Sequence, residues 1–141
     1  MDRDRFQRTT FNEICRYFEH AKSEVEASQP RITIDLSHPD NEKLRCKLYL
    51  DGKSINECNV WIASLGRHAT INFYAGKFLS KEFNSSNEMI SIDESSGEMR
   101  LKGMMGSLAG HTIQDATPEG AAAVLWKWFC SSRHSNGNGD S

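Results

Sequence analysis

No apolar run in this chain is long enough to cross a bilayer. The longest, Ala121 to Phe129, is interrupted by Lys127 and falls far short of the ~20 apolar residues a spanning helix requires. The chain also lacks an excess of either charge: 17 Lys and Arg stand against 19 Asp and Glu, a net charge of −2. No bulk attraction to nucleic acid, membrane or a cationic partner follows, so any such case rests on where the charges sit. The opening residues Met1-Asp2-Arg3-Asp4-Arg5 are charged and lead into no apolar h-region. No secretory signal is expected from them, and the expected location is cytoplasmic. Cysteine pairs at metal or dithiol spacing are missing too, because Cys15, Cys46, Cys58 and Cys130 are scattered with no C-x-x-C. Neither a Walker A loop nor a dinucleotide fingerprint nor a nucleophile elbow occurs. The expectation is therefore a non-enzymatic chain with no metal and no cofactor.

What the chain does contain is two helical patterns enclosing six short alternating segments. Thr10-Phe11-Asn12-Glu13 matches a capping box, in which the Thr side chain caps a backbone N–H and the Glu reaches back. From it Phe11, Ile14, Phe18, Ala21 and Val25 follow at steps of three and four, one helical stripe that Pro30 terminates. Phe6 extends the packing upstream. At the other end Thr117-Pro118-Glu119 supplies an N-cap, a first-turn proline and an early acid, and Ala121, Val124, Leu125 and Trp128 form the stripe.

Between them, alternation predicts strands over 31–36, 44–50, around Cys58-Val60-Ile62, around Ile71-Phe73, over 89–93 and over 99–102. Asp51-Gly52 is a turn signal, with a link to the third strand read as longer than two residues. The stretch 80–87 reads as a loop. Strands this closely spaced, with no helical pattern between them, favour an antiparallel meander over parallel units. The predicted class is a two-layer α+β domain over residues 1–130, with both helices on one face of a sheet of about six strands. Residues 131–141 are polar and of low complexity, a tail expected to be disordered.

If the helices cover one face, the other face carries the out-of-phase strand residues. These include Arg45, Lys47, Tyr49, Trp61, Tyr74, Arg100 and Lys102, with few acids, chiefly Asp35 and Asp93. Tyr, Trp and Arg are enriched at protein interface hot spots. Aromatics and cations on a sheet also suit stacking of unpaired bases. Solvent-facing strand positions are ordinarily polar as well, and a single β-bulge would reverse the assignment beyond it. Trp126 lies off its helix stripe, so it is either covered by the N-terminal helix or the glycine-rich segment, or exposed beside Lys127 as a partner contact.

The segment Gly103 to His111 is rich in glycine, and Gly103, Gly106, Ser107, Gly110 and His111 are candidates for a ligand loop, weighed against a plain connector packing Met104 and Met105. Asp35 to Asp40 brings two acids and His38 to one turn, a composition turns normally have. Cys46 and Cys58 take inward positions and Cys15 adjoins a helix stripe, so free buried thiols are expected. A Cys46–Cys58 bridge is geometrically allowed but not implied. Cys130 at a helix C-terminus is a poor nucleophile.

The expected function is docking of a protein partner, or of a second copy as a homodimer, through the open sheet face and Trp126. The alternatives are single-stranded nucleic-acid binding through that face, and a small-ligand or enzymatic role for the glycine-rich loop.

Overall fold

A computed structural model describes residues 2–76, 86–105 and 110–131. The element order is α1 (Arg3–Ser28), β1 (Ile32–Ser37), β2 (Lys43–Leu50), β3 (Lys53–Leu65), β4 (His68–Gly76), β5 (Glu88–Asp93), β6 (Arg100–Gly103) and α2 (Pro118–Ser131). The six strands form one antiparallel sheet in sequential order. Both helices pack together on one face, giving a two-layer α+β arrangement. The core lies between the layers. Phe11, Ile14 and Phe18 of α1 and Ala121, Leu125 and Phe129 of α2 meet Leu44, Cys46, Val60, Ile71, Phe73 and Ile90 of the sheet.

The first helix starts eight residues earlier than its capping-box signal indicates. Asp2 is the N-cap, and its Oδ1 accepts from the backbone N–H of Arg5 at 2.8 Å. The upstream start brings Phe6 onto the stripe that continues through Thr10, Ile14 and Phe18, so burial outweighs the local capping preference. Thr10 is buried inside the helix, and its hydroxyl has no hydrogen-bond partner among the described residues. Glu13 pairs instead with Arg16 at 2.7 Å.

One turn reading also changes. Asp51 and Gly52 alone link β2 to β3, with φ of +52° and +83°. Both are left-handed, the conformation a two-residue hairpin turn requires. The ladder then shifts register, because Leu48 faces Asn56 while Tyr49 faces Ser54. This bulge at Ile55 absorbs one residue of β3, so Ser54 rather than Ile55 stands opposite Tyr49.

The two sheet edges are managed differently. On β6, the backbone N–H groups of Leu101 and Gly103 donate to the carbonyls of Ala116 and Ile113, each at 2.9 Å, so the segment before α2 closes that edge. On β1, the N–H of Ile34 donates to Glu26 Oε2 at 2.8 Å. Such side-chain cover blocks an edge from pairing with foreign strands.

Candidate functional site

The face opposite the helices is uneven. Alternation along β2 directs Arg45, Lys47 and Tyr49 away from the core, and each is half-buried. Arg45 stands opposite Asn59 and Asn59 opposite Tyr74, a row across three strands. Arg45 Nε donates to Asn59 Oδ1 at 3.1 Å, fixing the guanidinium over the sheet. The next row sets Lys47 between Asp35 and Glu57, and the one after sets Tyr49 between Thr33 and Ser54. Tyr74 is half-buried. These four part-exposed side chains, two phenols and two cations, share the open face of β2 and β4.

The middle of the same face is closed. Trp61 is only 6% exposed although it stands outside the hydrophobic core cluster. Asn59, Thr70 and Asn72 beside it are buried, and the Thr70 hydroxyl donates to Asn72 Oδ1 at 2.9 Å. Trp61 is thus an engaged side chain, and the part-exposed patch is made by its neighbours. At the far edge, Arg100 is ion-paired to Glu98 at 3.1 Å and lies 3.9 Å from Asp115. Lys102 is exposed, two residues along the strand. Across the ladder, Asp93 is held below the usual carboxylate range, first by the Ser95 backbone N–H and hydroxyl and then by the charge of Lys102.

Trp126 is not offered outward. Its ring meets Phe18 edge-on with centroids 5.0 Å apart and Phe129 at 5.5 Å. The N-terminal helix covers it, because its position off the α2 stripe is the one that faces α1.

In the glycine-rich segment, Gly106 and Ser107 lie outside the described residues. Gly103 has an internal explanation. A Cβ there would fall 2.2 Å from Glu88 Oε2. Glu88 is fully buried on the helix-covered face, opposite Phe73. Its Oε1 accepts from the N–H groups of Met89 at 2.9 Å and of Met104 and Met105 at 2.8 Å each. The backbone here does cradle an anion. That anion is the chain's own carboxylate, so Gly103 is used by Glu88 rather than held for an external group. The sequence carried a signal for it: Glu88 shares the inward phase of Ile90 and Ile92.

His111 stacks nearly parallel on Trp128, with centroids 4.6 Å apart and planes at 13°, and Trp128 in turn packs on Phe73. Burial, and then the charge of Lys127, lowers the His111 pKa below its ordinary 6.5. Gly110 takes φ +83° and Asp115 φ +50°, both at exposed positions. Met104 is 51% exposed, so it does not lie flat on the core.

The Asp35–Asp40 turn is held by ordinary turn contacts. His38 Nδ1 lies 3.0 Å from the Lys43 carbonyl, and Asp40 accepts from the Glu42 N–H at 2.8 Å. Among the described residues no group of three His, Cys, Asp or Glu is placed to hold a metal ion. None of the four cysteines is in a disulfide. Cys46 and Cys58 face each other across the ladder, and burial, reinforced by Cys46, pushes the Cys58 thiol well up. Cys15 is pushed up to about 11, chiefly by burial and then by Glu19. Neither is poised as a nucleophile.

The sequence profile of the Y4lF protein domain matches residues 33–131, from β1 to the end of α2. The chain belongs to the Y4lF protein domain family. The uncharacterized protein y4lF of Sinorhizobium fredii (strain NBRC 101917 / NGR234) is 28% identical to it over 126 residues. That alignment takes in 89% of this chain but 38% of the relative, so the chain spans well under half the length of that protein. No solved structure matches. The matched Y4lF span contains the open-face patch, the Glu88 clamp and the His111–Trp128 stack, whereas α1, which covers Trp126, precedes it. No described helix is long and apolar enough to cross a membrane.

Proposed function

We propose that this Y4lF domain is a non-enzymatic interaction domain of the cytoplasm, docking a protein partner or a second copy through the open sheet face. The observation that carries this reading is the set of Arg45, Lys47, Tyr49 and Tyr74, all part-exposed on the face that both helices leave uncovered. Two phenols give contact area with little conformational freedom to lose, and an arginine already braced by Asn59 is pre-oriented for a carboxylate. Trp61 supports the patch from the closed middle of the sheet and is not itself a contact in this reading.

The neighbours of the cations weigh against single-stranded nucleic acid. Lys47 stands between Asp35 and Glu57, and Arg100 is shared by Glu98 and Asp115. Each acid beside a cation reduces the local potential that phosphates would meet, and phosphate neutralisation dominates such binding. A protein surface of mixed charge suits the patch better.

The test is site-specific photo-crosslinking in cells, with benzoylphenylalanine placed at Lys47 and, as a control, at the exposed Arg16 on α1. The expected result is a discrete adduct from position 47 that is absent from position 16 and is lost when Tyr74 is replaced by Ala. Equal adducts from both positions, or none from position 47, would contradict the proposal.

A further inference from the structure

The β4–β5 ladder ends at Thr70↔Ser91. Beyond that rung β4 still pairs with β3, down to Leu65↔His68, and β5 still pairs with β6, out to Asp93↔Arg100. The sheet therefore parts between two strands that are each held from the far side. A cavity of about 320 Å³ occupies the parting. Thr70 and Ser91 wall it on the open face, together with Leu65 and His68 from the β3–β4 turn, while Ile92 and Arg3 close it from the helix side.

Three features of this cavity belong to a binding site rather than to a packing defect. Leu65, 45% exposed, and Met104, 51% exposed, are the exposed large apolar side chains among the described residues, and both line it. Exposed apolar groups gathered at one concavity mark a surface that something covers. The wall contains no acid, although acids outnumber bases in the chain, and it does contain Arg3 and His68. Arg3 Nε is engaged by Glu94 at 2.8 Å, while its two Nη groups make no hydrogen bond among the described residues. An apolar end and a cationic end within one small volume ask for a ligand divided in the same way.

We infer that the parted end of the β4–β5 ladder binds a small aliphatic carboxylate. Its chain lies against Leu65, Ile92 and Met104, and its carboxylate faces Arg3 and His68 with the Ser91 hydroxyl beside it. The site shares no residue with the Tyr49–Tyr74 patch and stands or falls separately from it.

Octanoate is a suitable probe and octanol its uncharged counterpart, each titrated into the ¹⁵N-labelled full chain and followed by amide shifts. The expected result is saturable octanoate binding with shifts centred on His68, Thr70, Ser91 and Ile92, and octanol binding at least tenfold weaker. Arg3→Gln should weaken octanoate about tenfold and leave octanol unchanged. Leu65→Ser, at a position 45% exposed, should weaken both. Non-saturating shifts, shifts centred elsewhere, or octanol binding as well as octanoate would overturn the assignment.

Discussion

Replacing Gly103 by Ala adds a single methyl group, yet the structure gives it an unusually bad place. The three atoms nearest that methyl all belong to the Glu88 carboxyl group, at 2.2, 2.8 and 3.3 Å. The end of a glutamate can normally swing aside. Here the side chain is fully buried and three backbone N–H groups hold Oε1, so moving away breaks charge-assisted hydrogen bonds inside the core. Overpacking a core by a methyl typically costs about 1–3 kcal/mol, and each lost hydrogen bond to a charged group about 1.5–3 kcal/mol. With one such bond lost, Gly103→Ala should destabilise the domain by ~3–5 kcal/mol. At a urea dependence of about 2 kcal/mol per molar, that lowers the unfolding midpoint by ~2 M. Glu88→Ala should itself be destabilising, because it removes the acceptor of the Met105 N–H and one of the two acceptors of the Met104 N–H, which keeps the Met89 carbonyl at 3.1 Å. In that background, however, the Gly103→Ala methyl meets no carboxylate, and its added cost should fall below ~1 kcal/mol. Urea unfolding of the four proteins, followed by far-UV circular dichroism, gives the coupling directly. A wild-type Gly103→Ala cost under ~1 kcal/mol, or the same cost with and without Glu88, would refute the clamp.

Glu26→Gln removes the charged acceptor of the Ile34 N–H, and unfolding should show a loss of about 1 kcal/mol at neutral pH. The Ile34 N–H, and then Lys22, hold the Glu26 carboxyl below its ordinary 4.5. Its contribution is therefore complete above that value and disappears as pH falls through the folded one. The variant should accordingly lose less stability on acidification than wild type; parallel acid limbs would contradict the contact. His111 has the opposite chemistry. Its pKa lies below 6.5 in the folded state, so the stabilisation from the neutral ring is complete above 6.5 and declines as pH drops below it. Trp128 fluorescence should report the ring's protonation with a midpoint below 6.5, and the transition should vanish in His111→Phe; a midpoint at or above 6.5 would be contrary evidence. Cys46 and Cys58, buried with Cys58 pushed well up, should react with a thiol reagent only at the rate of unfolding, and prompt modification in the native protein would show otherwise.

Where side-chain period alone decides structure, the sequence was readable. Alternation of Leu44, Cys46 and Leu48 located a strand and its inward face, and the absence of helical pattern between strands favoured an antiparallel meander; the sequential strand order itself came only from the structure. Local signals in competition with burial misled. The Thr10 capping box lost to a stripe that could be lengthened through Phe6, and the Asp51-Gly52 turn was tighter than read because a bulge at Ile55 restored the register. The candidate site was legible only in outline. Arg45, Lys47, Tyr49 and Tyr74 do share a half-exposed patch. Burial of Trp61 on the same face, and the partial burial of Trp126 against α1, depend on packing between distant segments that no periodicity encodes. Gly103 drew attention as a ligand-loop glycine, and its partner is Glu88, fifteen residues earlier and on another strand.

The most direct test of the docking account is the affinity of the partner recovered by crosslinking at position 47, measured by calorimetry against wild type, Tyr49→Ala and Tyr74→Ala. Truncating a contact aromatic at an interface commonly costs more than ~1 kcal/mol, about fivefold in affinity. The account predicts at least that loss for each variant, with urea unfolding midpoints close to wild type. Affinity unchanged in both variants would contradict it and remove the open sheet face as the docking surface.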